Sequence, residues 1–189
     1  MMIEISWLGR GGQGVKTAAL LFTETVIHEG KYCQGFPDFG PERSGAPVKG
    51  YNRIDDKEIR IHSRIENPDI GVVLDPSLMG KVDILAGLKE GGTLLINTDK
   101  DPGAIAKILG LTGRKVFTVN ATGIALKEIG RPIPNTPMMA ALARVTGVIK
   151  LETLAGLVKE KFAGKYSDKV IEGNLRALER AYKEVKGNA

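Results

Sequence analysis

The segment Gly9-Arg10-Gly11-Gly12-Gln13-Gly14 is the part of the chain whose residue types and spacing best suit chemistry. It follows the apolar run Ile3-Glu4-Ile5-Ser6-Trp7-Leu8 and precedes a stretch in which Val15, Ala18, Ala19, Phe22 and Val26 recur at helical spacing. A glycine-rich turn between a strand and a helix is a phosphate-binding device. The glycines allow a tight turn, and the helix start aims backbone N–H groups at an anion. Gly9, Gly11 and Gly14 satisfy a GxGxxG spacing, to which Gly12 and Gln13 are additions. Arg10 adds a planar donor for a phosphate. The dinucleotide reading fails one requirement, an acidic residue about 20 positions further on that ends the second strand and holds a ribose hydroxyl. That strand is expected over residues 31–34, and the nearest carboxylate, Asp38, falls past Pro37 in a loop. Close strand–helix packing, with no ligand, is the other reading of these glycines.

The second constellation is Phe36-Pro37-Asp38-Phe39-Gly40-Pro41-Glu42-Arg43-Ser44-Gly45-Ala46-Pro47-Val48. Its prolines restrict the backbone to one path. Arg43 on such a loop suits a phosphate or a buried acid of a partner, with Glu42 in the same polar network. Alternatively, the two form an internal ion pair. Together with Gly9 to Gly14, with Val116-Phe117-Thr118-Val119-Asn120-Ala121-Thr122-Gly123-Ile124-Ala125 and with Gly130-Arg131-Pro132-Ile133-Pro134-Asn135-Thr136, this segment resembles the gamma subunits of the 2-oxoacid:ferredoxin oxidoreductases. The resemblance runs from the first strand to about Val148 and fades over the last two helices. It implies a subunit of an oxidoreductase, inactive alone, that works with alpha, beta and delta partners. Those enzymes convert a 2-oxoacid and coenzyme A to an acyl-CoA and carbon dioxide, with ferredoxin as electron acceptor. The resemblance places thiamine pyrophosphate and magnesium in the alpha and beta subunits, and iron–sulfur clusters in the beta and delta subunits. It implies that this subunit closes against the thiamine-binding subunits and helps enclose the coenzyme A path. Gly9, Arg10, Gly11, Gly12, Gln13, Gly14, Glu42 and Arg43 are the candidate contacts for that path. A subunit interface with no small ligand is another reading of the glycine loop. Pyruvate is the 2-oxoacid it favours, and 2-oxoisovalerate is next. The runner-up is a self-contained NAD(P)-dependent oxidoreductase using the same glycine loop.

Composition agrees with a subunit of this kind. The 189 residues suit one α/β domain spanning 1–189. The net charge of +5 comes from 27 Lys+Arg against 22 Asp+Glu, spread along the chain without the basic stripe that nucleic acid would require. No apolar run approaches the roughly 20 residues that span a bilayer. Cys33 is the only cysteine, so neither an internal disulfide nor a cysteine-ligated cluster can be held by this chain alone, and a reducing cytoplasm is the expected compartment. His28 and His62 lack partners at metal-ligand spacing and read as surface residues. Asp55-Asp56 reads as a turn and Met138-Met139 as core. No catalytic constellation is present.

The elements that must position these groups alternate along the chain. After the first strand and helix, residues 48–64 read as a hairpin, with Asp55-Asp56 at its turn and Ile59 and Ile61 on one face. Residues 69–75 read as a buried strand, 77–88 as a helix, 93–97 as a strand, and Asp101-Pro102 as the start of a helix. A strand over 115–120, a helix over 121–129 and three helices over 137–145, 151–162 and 168–185 follow. On the last, Ile171, Leu175, Leu178, Tyr182 and Val185 form a stripe that must pack on the sheet or on a neighbouring subunit. The expected fold is a single Rossmann-like α/β domain with a mostly parallel sheet, an inserted β-hairpin and a helical C-terminal region.

Overall fold

A computed structural model describes residues 2–38, 46–111 and 113–187. Its elements are β1 (Ile3–Arg10), α1 (Val15–His28), β2 (Tyr32–Asp38), β3 (Pro47–Asp55), β4 (Ile70–Val73), β5 (Thr93–Asn97), α2 (Pro102–Ile108), β6 (Lys115–Val119), α3 (Ala121–Ile129), α4 (Asn135–Thr146), α5 (Leu151–Phe162), α6 (Asp168–Glu184) and β7 (Lys186–Gly187). They build a sheet of order β2-β3-β1-β4-β5-β6-β7. β1, β4, β5 and β6 run parallel, whereas β3 pairs antiparallel with β1, β2 with β3, and β7 with β6. The architecture is the expected Rossmann-like α/β domain.

The parallel strands are buried on both faces and read as continuous apolar runs. Trp7, Val72, Leu95 and Val119 pack with α1, α3, α4, α5 and α6. Val73, Leu94, Ile96 and Val116 belong to a second cluster that includes Ile105 and Ala106 of α2. α4 lies inside the first cluster, with Met138 to Ala143 almost wholly buried, so it carries no polar face. The α6 stripe packs within the chain: Ile171, Ala177, Leu178 and Ala181 are buried, and Leu175, Tyr182 and Val185 lie against the same core. Trp7 at the sheet centre meets Phe22 edge-on at 5.7 Å and donates its indole N–H to Asn52 Oδ1 at 2.6 Å.

Three expectations about elements need correction. The antiparallel insertion is β2–β3, rather than residues 48–64. With β1 on one side of β3 and β2 on the other, residues 57–64 cannot pair back on β3 as a hairpin. They instead run as irregular chain held by the buried Arg53, which donates to the carbonyls of Ile61 and Ser63, each at 3.1 Å, and pairs with Glu4 at 2.8 Å. Ile61 is exposed.

Second, β2 continues through Pro37 to Asp38, which pairs with Lys49. Proline is tolerated because β2 is an edge strand. Third, residues 77–88 are not a helix. A 3₁₀ turn, Pro76–Leu78, is followed by further turns, with Gly80 and Gly87 at φ +78° and +76°. At Gly87 a Cβ would collide with the Glu66 carbonyl oxygen, so this left-handed turn requires glycine.

Candidate functional site

β1 leads through α1 toward β2 on one side of the sheet, and β4 leads to β5 on the other. The carboxyl ends of the neighbouring strands β1 and β4 therefore form the topological switch point, where open α/β sheets hold ligands. The glycine loop lies at the end of β1, and Asp75, Pro76 and Ser77 lie at the end of β4. The two loops face one another.

Within the loop, Gly9 is the last-but-one residue of β1, opposite Val48. A Cβ there would stand 2.7 Å from Val15 Cγ2 and 3.2 Å from Leu74 Cβ, so glycine permits close packing of strand, helix and neighbouring strand. Gly14 precedes α1 in the left-handed conformation, with φ 79°. Gly11 and Gly12 are exposed at the tip, and the Gly11 N–H donates to Ala46 O at 3.3 Å. Gly9 and Gly14 thus serve packing, and the tip of the loop reaches solvent.

The side chains of the loop are locked. Gln13 Oε1 accepts the Arg10 N–H at 2.8 Å, and Gln13 Nε2 donates to Asp75 Oδ2 at 2.8 Å. Arg10 Nε stands 3.0 Å from the same Asp75 oxygen, and Arg10 Nη2 donates to Ser77 Oγ at 3.1 Å. Asp75 Oδ1 accepts the Ser77 N–H at 2.8 Å. Burial pushes the Asp75 carboxyl up, but hydrogen bonds from Ser77 and Gln13 and the Arg10 charge outweigh it and hold the carboxyl below its ordinary range. It stays ionised.

Asn97 extends this network along the rim. Its Nδ2 donates to Leu74 O and to Thr122 Oγ1, both at 2.7 Å, and its Oδ1 accepts the Thr122 N–H at 3.1 Å. Asn120 caps α3 through the Gly123 N–H at 2.9 Å. The Asn-Ala-Thr-Gly segment is thereby explained: it ties the ends of β5 and β6 to the end of β4. Asp75, Ser77, Asn97 and Thr122 are site residues that the sequence reading did not assign. The only signals were the Asp75-Pro76 strand end and Thr122 within a motif.

Glu42 and Arg43 lie outside the described residues. Asp38 ends β2 two strand positions from β1, because β3 stands between them. That separation is about 10 Å in the sheet, and the Asp38 carboxylate faces Arg64 at 3.6 Å. The place where a ribose-binding acid would stand, at the end of a parallel strand next to β1, is taken by the antiparallel β3. His28 and His62 are exposed, and Met138 and Met139 are buried. Cys33 is a partly buried strand residue 3.7 Å from Thr23 Oγ1; desolvation pushes its thiol up to about 11, unfavourable for a nucleophile. Among the described residues no group of three His, Cys, Asp or Glu converges as metal ligands, and no helix is long and apolar enough to cross a membrane.

Fold and loop together define a Rossmann-like α/β domain with a glycine-rich polar loop at its sheet's switch point. Residues 4–184 match the pyruvate ferredoxin/flavodoxin oxidoreductase family, and the chain belongs to that family. The match includes the last two helices, beyond the point at which the sequence motifs fade. The chain is 49% identical over 183 residues to the pyruvate synthase subunit PorC of Thermotoga maritima, covering 97% of this chain and 94% of that one. It is 48% identical over 181 residues to the common gamma subunit of the pyruvate/ketoisovalerate oxidoreductases of Thermococcus kodakarensis, covering 96% of each. The crystal structure of the pyruvate oxidoreductase subunit PORC from Thermotoga maritima superposes with a TM-score of 0.86 at 44% identity, covering 100% of this chain and 99% of that one.

Proposed function

We propose that this chain is the gamma subunit of a pyruvate:ferredoxin oxidoreductase. The enzyme converts pyruvate, coenzyme A and oxidised ferredoxin to acetyl-CoA, carbon dioxide and reduced ferredoxin. The end-to-end correspondence with relatives named for this role carries the reading. The family resemblance assigns thiamine pyrophosphate and magnesium to the alpha and beta partners and the iron–sulfur clusters to the beta and delta partners; a single partly buried thiol does not fit a cluster here. The part left to this chain is to close against the thiamine-binding subunits and line the path of coenzyme A. Gly11 and Gly12 at the loop tip, the start of α1 and Arg10 suit the phosphates of coenzyme A. Glu42 and Arg43 are the further candidates for that contact, on sequence grounds alone. A reducing cytoplasm is the compartment that suits a chain with one unpaired thiol.

One observation favours a second 2-oxoacid. The Thermococcus relative is named as common to pyruvate and ketoisovalerate oxidoreductases, so one gamma chain serves two enzymes there. The same chain would then assemble with a second set of partners and act on 2-oxoisovalerate. Affinity capture from the source, followed by identification of the accompanying polypeptides, tests both readings. One set of alpha, beta and delta chains means pyruvate alone; two sets mean a shared subunit; capture of no such chains contradicts the proposal. The NAD(P) alternative predicts micromolar NADH or NADPH binding by the isolated chain, and titration is expected to detect none.

A further inference from the structure

The Gly130-Arg131-Pro132-Ile133-Pro134-Asn135-Thr136 segment links α3 to α4. Arg131, Ile133 and Asn135 line a cavity of about 110 Å³ between this link, the end of α5 and the start of α6. Its walls are apolar: Ile129, Ile133, Phe162, Tyr166 and Val170, with the Phe162 and Tyr166 rings 5.0 Å apart. Among the described residues no acidic side chain lines it. Two buried asparagines complete the lining. Asn174 Oδ1 accepts the Thr136 hydroxyl at 2.6 Å, and its Nδ2 donates to Val170 O at 2.8 Å. Asn135 Oδ1 accepts the Thr136 N–H at 2.8 Å, which fixes the other end of that amide as the donor. Asn135 is 8% exposed, and its Nδ2 has no hydrogen-bond partner among the described residues. No fully buried side-chain nitrogen or oxygen among them lacks a partner, so Nδ2 keeps an opening, and the cavity is the space that Asn135 lines. Arg131 is exposed, and its guanidinium makes no hydrogen bond or ion pair with a described residue. Tyr166 beside it is 50% exposed.

We propose that this cavity is an anchor pocket for an acidic side chain of a partner subunit, whose carboxylate meets Arg131 and Asn135 Nδ2 while its methylenes lie on Ile133 and Phe162. The inference rests on the reading of the chain as a gamma subunit. A buried donor left unpaired is costly, and an incoming acceptor removes that cost. A guanidinium with no acid beside it favours a charged acceptor over a neutral one. The apolar walls require the anion to arrive on an aliphatic stem, because a bare anion would lose its hydration against them. Size favours a protein over a free small molecule. Ligand pockets run to about 300–1,000 Å³, whereas about 110 Å³ suits one side chain. Tyrosine and arginine are also the residue types in which interface hot spots are enriched, and such hot spots centre on filled pockets.

The test is titration of the purified chain into the remaining subunits of the oxidoreductase, read as assembly affinity. The variants are Arg131→Ala, Arg131→Lys, Arg131→Glu and Tyr166→Ala, with Ile108→Ala as control. Ile108 is an exposed apolar residue on α2, outside the cavity. Arg131→Ala and Tyr166→Ala are each expected to weaken assembly about tenfold, and Arg131→Glu about a hundredfold. Arg131→Lys should recover part of the loss, since the charge stays but the planar fork does not. Both positions are exposed, so the isolated variants should melt with the parent chain. If the parent chain itself does not assemble, the gamma-subunit reading fails and the inference with it. If the parent assembles and the Arg131 and Tyr166 variants match it, the anchor proposal alone falls. Loss with the Arg131 variants but none with Tyr166→Ala would mean attraction between surface charges rather than a filled pocket, and overturns it. An equal loss with Ile108→Ala overturns it as well. Stabilisation of the isolated chain by millimolar butyrate, absent in Arg131→Ala and with assembly unchanged, would make the cavity a small-carboxylate site, which overturns it too.

Discussion

Gly12 and Gly14 both hold positive φ in the glycine loop, yet they answer to different constraints. Gly12 has φ +92° with nothing within 4 Å of a would-be Cβ, whereas at Gly14 that atom would lie 2.5 Å from Asn135 Nδ2, on the buried start of α4. Gly12→Ala is therefore expected to cost about 1 kcal/mol of stability, the left-handed conformation alone. Gly14→Ala should cost about 2–4 kcal/mol, since overpacking adds to strain. Thermal unfolding of the isolated chain checks the difference, and equal losses would contradict it. Arg43 supplies a second prediction, which rests on sequence: Arg43→Ala should leave the isolated chain nearly as stable, yet cost on the order of 2–5 kcal/mol in assembly or in coenzyme A-dependent turnover. Arg43→Lys should recover part. A sharp fall in the isolated melting temperature with intact turnover would instead make Arg43 an internal structural residue. The loop was legible in the sequence because its residues are contiguous. Asp75, Ser77 and Asn97 were not, because they converge on it only once the order of β1, β4 and β5 in the sheet is known.

At the scale of elements, most helices and parallel strands were legible from periodicity: α3 and α5 have the expected limits, and Asp101 with Pro102 starts α2 as expected. The failures have a common physical origin in tertiary context. Residues 57–64 alternate like a strand, but both sides of β3 are taken by β1 and β2, and residues 77–88 read as a helix but contain two left-handed glycines. Junctions between helices were equally invisible. Lys150, at the start of α5, makes no side-chain cap, and Glu29 at the end of α1 instead accepts the Lys150 N–H at 3.0 Å. A hydrogen bond from Thr153, together with that from Lys150, holds the Glu29 carboxyl below its ordinary value of 4.5 against the opposing effect of burial. A carboxyl lowered on folding contributes stability above its unfolded value and loses it as pH falls through the folded one. Glu29→Ala should thus lower stability at pH 7 by less than about 1 kcal/mol, and the gap to the parent should close below pH 4.5. A gap independent of pH would contradict this cap. Where α6 crosses α3, a Cβ on Gly173 would collide with the Glu128 carbonyl oxygen. Gly173→Ala is expected to cost about 1–3 kcal/mol in thermal unfolding, and a neutral result would mean the two helices separate freely.

For the whole molecule, the parallel sheet and its buried helices make a rigid platform, and the polar network at the switch point ties three loops into one rim. Among the described residues, nothing in that rim pairs a nucleophile with a base. The proposal accordingly assigns the chemistry to cofactors in partner chains, with this domain shaping access to them. The most direct test reconstitutes the remaining subunits with and without this chain and measures pyruvate- and coenzyme A-dependent reduction of ferredoxin. The account predicts that the isolated chain is inactive and free of stoichiometric iron, and that its addition restores turnover. Full coenzyme A-dependent turnover without this chain, or turnover of pyruvate by this chain alone, would contradict it.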